Sequence, residues 1–475
     1  MPPNYSKGRA EYPKSSYFSR LEHETRLESR SSEAAPQGND CTDPGPSAER
    51  LGMVCPRAAW ARPGLGLGLD CWEVGLAKLE TIVVVGASLA GLRCAEALRR
   101  EGYSGQLTLI GAEEHLPYDR PPLSKEVLSG TREPDQVSLI RPERFEPLEI
   151  ELRLGTRATG LDPTGRAVLL GDERVGFDGL VIATGATPRQ LPDTPELAGI
   201  HTLRTLDDCM AIRSELDHSP RVVVVGAGFI GSEVAASCRE RGLDVTLIET
   251  LSTPLEAAVG PQLGETCAAL HRDHGVDLRC GMGVDGFLGS ERVEAVRLRD
   301  GSTLAADLVV VGIGVVPETG WLKTSGLEIS DGVVCDETSA AAPNVTAAGD
   351  VARWYNPLFG ESMRVEHWTN AVEQGEAAAI RLLAGPEGGE PFAPVPFVWS
   401  DQYDAKIQCA GRPKPDDEIQ VRHGSLEERR FVALFGRKGR LSGAVAFNRA
   451  RLLMKYRRML NDGASWEAAL DAAAA

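Results

Sequence analysis

Residues 221–231 read RVVVVGAGFIG, and residues 81–91 read TIVVVGASLAG. Each is a run of β-branched side chains ending in a glycine turn, and a run without polar alternation suits a parallel strand buried on both faces. LRCAEALRREG and then QLTLIGAE follow the first turn; EVAASCRERG and then DVTLIE follow the second. Strand, glycine turn, helix and strand make the βαβ unit that opens a dinucleotide-binding domain. Two copies about 140 residues apart imply two related domains rather than a solenoid, whose repeats are far shorter.

A chain of 475 residues exceeds what one hydrophobic core usually supports, so two or three domains are expected. A formal charge of −17 argues against binding nucleic acid or an anionic membrane, whose phosphates the net field would repel. Ten cysteines, at 41, 55, 71, 94, 209, 238, 267, 280, 335 and 409, form no CxxC and no His/Cys cluster at metal-ligand spacing. They read as reduced cytoplasmic thiols, with no metal site and no redox disulfide. No uninterrupted run of 18 apolar residues exists, and the N-terminus lacks a basic segment followed by an apolar core, so neither a membrane span nor secretion is expected.

In the first turn, Gly86 permits the tight bend and Gly91 permits close helix packing, while Ser88 stands where a middle glycine usually lets backbone approach a pyrophosphate. The anion would sit at the N-terminus of the helix beginning near Leu89, where free N–H groups and the helix dipole favour negative charge. Glu113, at the end of the next strand, is placed to accept from ribose hydroxyls. A strand-turn-helix without a ligand is the competing reading of this motif alone. In LPYDRPPLSK (116–125), the proline pair holds an extended segment that delivers Lys125 to a fixed place.

The second motif is stricter: Gly226, Gly228 and Gly231, with Glu249 closing DVTLIE. Glu249 can accept from both ribose hydroxyls of NAD and would repel a 2′-phosphate, and TLSTPLEAAVG beyond it offers no cation to receive one. NADH is therefore preferred to NADPH. Ile230, inside this turn, and Gly314, in GIGVVPE, complete the residues expected at the nucleotide. Two such sites suit a relay from a mobile hydride carrier to a resident cofactor, and FAD fits because a flavin accepts hydride and passes electrons singly.

The rest sorts into domains. FDGLVIATGATPR (177–189) and ADLVVVGIGVVPE (306–318) are strands entering glycine turns, NVTAAGDVAR (344–353) is another, and the apolar spacing after Asn370 suits a helix. The Pro-rich stretch 385–397 marks a boundary, beyond which short strand patterns and a final helix suggest a small α+β domain. The expected fold is α/β: two Rossmann-like dinucleotide-binding domains plus a small C-terminal α+β domain. The FAD-binding domain takes 79–186 and 316–392, the NAD-binding domain 187–315, and the C-terminal domain 393–475. Residues 1–78, rich in Ser, Pro, Gly, Arg and Glu, read as a disordered extension or a mis-assigned translation start.

GASLAG, LPYDRPPLSK, VIATG, GAGFIG, AAGDVA, EHWTNAVEQG and WSDQY, occurring in that order between residues 79 and 460, resemble the NADH-dependent ferredoxin reductases of oxygenase systems, within the glutathione-reductase class of folds. The resemblance implies that Ala90 and Gly91 lie at the FAD pyrophosphate and Glu113 at its ribose, although many relatives carry an Asp where this chain has Ala112. It implies flavin contacts for Arg120 and Lys125, a backbone contact to adenine for Ala158, a further contact for Arg204, and a ribityl partner in Asp350. Trp368 would approach the flavin pyrimidine end and border the nicotinamide, with Trp399 on the opposite wall. Glu233 would face the flavin and pair with Lys125, so Lys125, Glu233 and Trp368 form the expected catalytic set.

The family implies that NADH reduces FAD and that electrons leave singly to a ferredoxin-type iron–sulfur protein serving a cytochrome P450 or a Rieske oxygenase. Arg437, Lys438, Arg440, Arg449, Arg451, Lys455, Arg457 and Arg458 would offer a positive face to such an acidic partner, the alternative being an ordinary solvated surface. A reductase of rubredoxin or another small redox protein shares every motif. An NADH-responsive flavoprotein similar to apoptosis-inducing factor is the non-enzymatic alternative.

Overall fold

The structure is a computed structural model that describes residues 79–474. The expectation for residues 1–78 falls outside the described residues.

The two β-branched runs are the central strands of two parallel sheets. Thr81–Val85 lies between Gly179–Ile182 and Gln106–Ile110 in a six-stranded sheet completed by Ile150–Arg153, Val345–Ala347 and an antiparallel edge, Ala340–Ala342. Val222–Val225 lies between Val245–Ile248 and Leu308–Val311 in a five-stranded sheet with Ile200–Thr202 and Asp277–Arg279 at its edges. Nearly every residue of both central strands is buried, which is why neither shows polar alternation. The first sheet takes strands from both sides of the second domain in sequence, so the chain leaves the first domain, builds the second and returns.

The helix Leu89–Arg100 packs against the helix Trp368–Leu383, which starts two residues earlier than the apolar spacing after Asn370 suggests. Their approach is close because Gly375 has no side chain: a Cβ there would lie 2.5 Å from the Ala90 carbonyl oxygen.

The C-terminal domain is a five-stranded antiparallel sheet, ordered Phe397–Gln402, Ala405–Gly411, Arg440–Phe447, Arg430–Arg437, Glu418–Ser425, followed by the helices Ala450–Asn461 and Trp466–Ala474. RFVALFG reads as a continuous apolar run because both faces of the sheet are covered. Val432, Leu434 and Ala444 face Leu453, Tyr456 and Leu460 of the first of these helices. Phe431, Phe435 and Phe447 face Leu255, Val259, Leu263 and Cys267, on or beside the helix Glu256–Asp273 of the second nucleotide domain. The Pro-rich connection is anchored rather than loose: the Trp354 indole donates to the Phe392 carbonyl at 3.0 Å and the Asn356 amide to that of Pro394 at 3.0 Å.

Cys94, Cys209, Cys238, Cys267, Cys335 and Cys409 are buried free thiols and Cys280 is half-buried. Burial pushes all seven above the usual thiol range, which makes them packing groups rather than nucleophiles. Among the described residues no helix is long and apolar enough to cross a membrane, and no cluster of His, Cys, Asp and Glu could hold a metal.

Where the C-terminal sheet meets the second nucleotide domain, His271 is fully buried, its Nδ1 lies 3.0 Å from the Tyr403 hydroxyl, and His274 stacks on the same ring at 3.8 Å. Burial pushes the His271 pKa down to about 4, with a smaller push from His274. Between the ordinary value of 6.5 and about 4 the unfolded chain binds the proton and the folded chain does not, so this group's support is intact above 6.5 and is lost as pH falls. At pH 5 the cost reaches about 2 kcal/mol. The fall in thermal midpoint from pH 7 to pH 5 is therefore expected to be larger in the native protein than in His271→Gln, and equal falls would show that His271 is not the titrating group.

Candidate functional site

Both glycine turns open on one cleft with a cavity volume of about 770 Å³. In the first turn Gly86 has φ +119°, and a Cβ there would lie 2.0 Å from the Ala183 carbonyl oxygen. In the second, Gly226 has φ +98° and the same atom would lie 2.4 Å from the Gly312 carbonyl oxygen. Only glycine meets both demands. Gly91 and Gly231 lie behind the turns, where a Cβ would be 1.8 Å from Gly86 O and 1.9 Å from Gly226 O, so they hold helix against strand and do not line the cleft.

The helix starts are left free to receive an anion. The first intrahelical bonds run from Leu92 N–H to Ser88 C=O at 2.9 Å and from Ser232 N–H to Gly228 C=O at 3.0 Å, so the three N–H groups before each have no partner within the helix. A Cβ on Gly228 would meet nothing within 4 Å, which leaves room for a phosphate against the backbone. Ser88 makes no capping bond with its side chain, so the departure from glycine leaves the turn open as well. The residues present fit a dinucleotide at each turn.

Glu113 lies in the loop beyond the strand Gln106–Ile110, not at the strand end that the sequence suggests, and is held by that loop. Its Oε2 accepts from the Tyr118 hydroxyl at 2.5 Å and its Oε1 from Arg120 Nη2 at 2.5 Å. Arg120 also donates to the Arg204 carbonyl at 2.6 Å, and the Arg204 guanidinium reaches Asp350 Oδ2 at 2.8 Å. Burial alone would raise the Glu113 pKa, but Arg120, Tyr118 and Arg204 outweigh it and hold the carboxyl below its usual range. Glu113 is thus an anion whose oxygens already carry donors, and a ribose hydroxyl would share it with Arg120. Glu249 follows directly on the strand Val245–Ile248, at the register position that Gly111 takes in the first sheet; it lies outside the cleft lining and accepts from Ala227 N–H at 2.7 Å and Leu251 N–H at 2.9 Å, which ties it to its own turn.

All three domains meet at Glu233, which is 3% exposed. Lys125 Nζ lies 3.3 Å from its Oε1, Ser124 Oγ donates to its Oε2 at 2.5 Å, and Ser400 Oγ, from the C-terminal sheet, donates to its Oε1 at 2.7 Å. Burial pushes the Glu233 pKa up; Lys125, Ser124 and Ser400 pull it back without overcoming that push. Across the cleft, the Trp368 indole donates to Asp119 Oδ1 at 2.7 Å and meets the Trp399 ring edge-on at 6.0 Å. Burial raises the Asp119 pKa against the opposing pull of that indole and two cations.

Gly86, Ser88, Ala90, Glu113, Arg120, Lys125, Ala158, Arg204, Gly228, Ile230, Glu233, Gly314, Asp350 and Trp368 all line the cleft. Tyr118, Asp119, Ser124, Ser400 and Arg412 belong to the site or its support; the first three lie in LPYDRPPLSK and Ser400 in WSDQY, but nothing in either motif singled them out. Of the basic tail, Arg437 is taken up by Asp417 at 2.6 Å, Arg440 by the Gly463 carbonyl at 3.1 Å, and Lys455 by that of Ala472 at 2.7 Å. Arg457 pairs with Glu373 at 3.3 Å and covers the Phe397 ring at 5.2 Å, while Lys438, Arg451 and Arg458 face solvent. Arg412, which lines the cleft, pairs with Glu361 at 3.2 Å beside Lys414 at 2.7 Å.

Residues 80–375 match the pyridine nucleotide-disulphide oxidoreductase family and residues 397–475 the reductase C-terminal family. The chain is 35% identical to putidaredoxin reductase of Pseudomonas putida over 81% of its own length and 92% of the relative's. It is 36% identical to rhodocoxin reductase of Rhodococcus erythropolis over 80% and 89%. Among solved structures, a covalent putidaredoxin reductase–putidaredoxin complex aligns at TM-score 0.77 and 34% identity, covering 81% of this chain and 93% of that one. A ferredoxin reductase from Rhodopseudomonas palustris aligns at TM-score 0.77 and 36% identity, covering 81% and 95%.

Proposed function

This chain belongs to the pyridine nucleotide-disulphide oxidoreductase family, and from that membership we propose that it is an NADH-dependent, FAD-containing reductase that passes electrons to a ferredoxin-type iron–sulfur protein of a cytochrome P450 or Rieske oxygenase system. The observation that carries this reading is the single cleft onto which both dinucleotide turns open and in whose lining, among the described residues, no cysteine stands. A disulfide relay has no thiol to work with there, which supports direct departure of the electrons to an outside carrier. Bound FAD supplies the conversion of a hydride into single electrons.

The chain's own residues position the reactants. The first turn with Ala90, and the Glu113–Arg120–Arg204–Asp350 chain, hold the flavin nucleotide; Ala158 and Gly314 border it. The second turn with Ile230 would hold NADH; Glu249, which lies outside the cleft lining and already accepts from Ala227 and Leu251 N–H, would share its oxygens with a ribose hydroxyl, and its charge disfavours the 2′-phosphate of NADPH. Lys125 and Glu233 order the hydride path, and Trp368, pinned by Asp119, limits where the nicotinamide ring can lie. Such positioning is the main catalytic contribution, because no protein group needs to act as a nucleophile.

We assign the basic C-terminal region as the docking face for the partner. The helix Ala450–Asn461 flanks the strand carrying Trp399, a cleft residue, through the Arg457–Phe397 contact. Exposed cations there would steer an acidic carrier towards the flavin, and the burial of the cysteines as free thiols fits a reducing cytoplasm. Replacing Lys438, Arg451 and Arg458 together by Gln is expected to lower the second-order rate of ferredoxin reduction by about tenfold at low ionic strength and to flatten its salt dependence. Flavin reduction by NADH should stay at the native rate in the same protein. An unchanged ferredoxin rate would remove the docking face.

A further inference from the structure

The strand Phe397–Gln402 turns two polar side chains, Ser400 and Gln402, into fully buried positions, while Trp399 and Asp401 between and beside them remain partly exposed. Burying a hydroxyl and an amide costs free energy unless each finds a partner, so their presence on the inward face calls for a reason. Gln402 Nε2 donates to Ser400 Oγ at 3.1 Å, and Ser400 Oγ donates to Glu233 Oε1 at 2.7 Å. A hydroxyl has one proton, so the bond accepted from Gln402 fixes its direction: the proton points at Glu233.

Glu233 is thereby held at both oxygens by hydroxyl groups from two different domains, Ser124 on Oε2 and Ser400 on Oε1. Lys125 shares Oε1 with Ser400 at the longer distance of 3.3 Å, and its ammonium lies 4.0 Å from Asp401 on the same strand. The two hydroxyls set the plane and the position of the carboxylate, and the lysine follows. We propose that Ser400, supplied by the C-terminal domain, is a positioning residue for hydride transfer, acting by orienting the Glu233 carboxylate and through it the Lys125 ammonium, which both line the cofactor cleft. The C-terminal domain then contributes to the flavin half-reaction and not only to partner docking.

This inference rests on the reductase reading, and stopped-flow reduction of the FAD-loaded protein by NADH separates the two. Ser400→Ala, which removes the donor and leaves less bulk, is expected to lower the limiting rate of flavin reduction by about tenfold while the half-saturating NADH concentration and the FAD content stay at native values. Gln402→Met, similar in size, leaves the Ser400 hydroxyl without its fixed direction and should give a smaller loss of the same kind, about threefold. A limiting rate in Ser400→Ala within twofold of native would overturn the proposal, as would loss of FAD or a fall confined to NADH affinity, either of which would make Ser400 a packing residue. A native flavin that NADH does not reduce at all would remove the reductase reading and this inference together.

Discussion

Gly231→Ala is expected to give a yellow protein that NADH bleaches poorly, and Gly91→Ala a protein that loses its colour. Each new Cβ would lie under 2 Å from a backbone carbonyl oxygen, Gly226 O in one case and Gly86 O in the other, and backbone cannot swing aside as a flexible side chain can. The strand and helix must part, which tilts the free N–H groups away from the pyrophosphate they would hold. Overpacking of this kind costs about 1–3 kcal/mol or more, roughly ten- to hundredfold or more in nucleotide affinity. The sheets are separate, so the damage should stay in the domain that carries the substitution. Flavin absorbance per protein reads the first site and the half-saturating NADH concentration reads the second; a Gly231→Ala protein that loses FAD but keeps its NADH affinity would reverse the assignment of the two turns.

Lys125→Met carries the next largest expected effect. It deletes the cation beside Glu233 and leaves that buried carboxyl with Ser124 and Ser400 alone. Loss of a positioned charged group from a catalytic site costs about 10²–10³-fold in rate, so flavin reduction at saturating NADH should slow by that order. Stability should respond with a definite sign. The folded pKa of Glu233 already lies above its ordinary value because burial disfavours the anion, and removing Lys125 raises it further. A carboxyl raised on folding takes stability away as pH climbs from its ordinary value through the folded one. The gap in thermal midpoint between the native protein and Lys125→Met should therefore widen as pH climbs above the ordinary carboxyl value of 4.5. A constant gap, with a rate within a few-fold of native, would mean that Lys125 is a bystander.

The features legible in the sequence were those fixed by local chemistry. TIVVV and VVVV declare buried parallel strands because burial on both faces removes any polar alternation, and the first and last glycines of each motif declare the turns because no other residue fits at Gly86, Gly91, Gly226 or Gly231. LPYDRPPLSK was legible as a segment that delivers Lys125, but not as the extended one expected: Pro121–Ser124 is a turn of 3-10 helix, because the fixed φ of proline suits a first helical turn as well as an extended chain. The rest of that segment's fold was not legible: Tyr118 and Arg120 return to Glu113, so the acid that spacing assigns to a ribose alone is shared.

Contacts between distant segments left no local trace. Asp119 and Trp368 are 249 residues apart, and Ser400 and Glu233 are 167 apart. Nothing near Ser400 tells that its strand register aims it at a helix of another domain. The tail shows a related limit: eight cations read alike along the chain, yet Arg437 is neutralised by the buried Asp417 and Arg457 by Glu373, which leaves the outward charge to others.

The most direct test of the account is an anaerobic titration of the FAD-loaded protein, first with NADH and then, on a fresh sample, with NADPH, followed in the flavin's visible band. The account predicts rapid, stoichiometric bleaching by NADH, a much weaker response to NADPH, and return of the colour when an oxidised ferredoxin is added. A flavin that stays oxidised in excess NADH would contradict it.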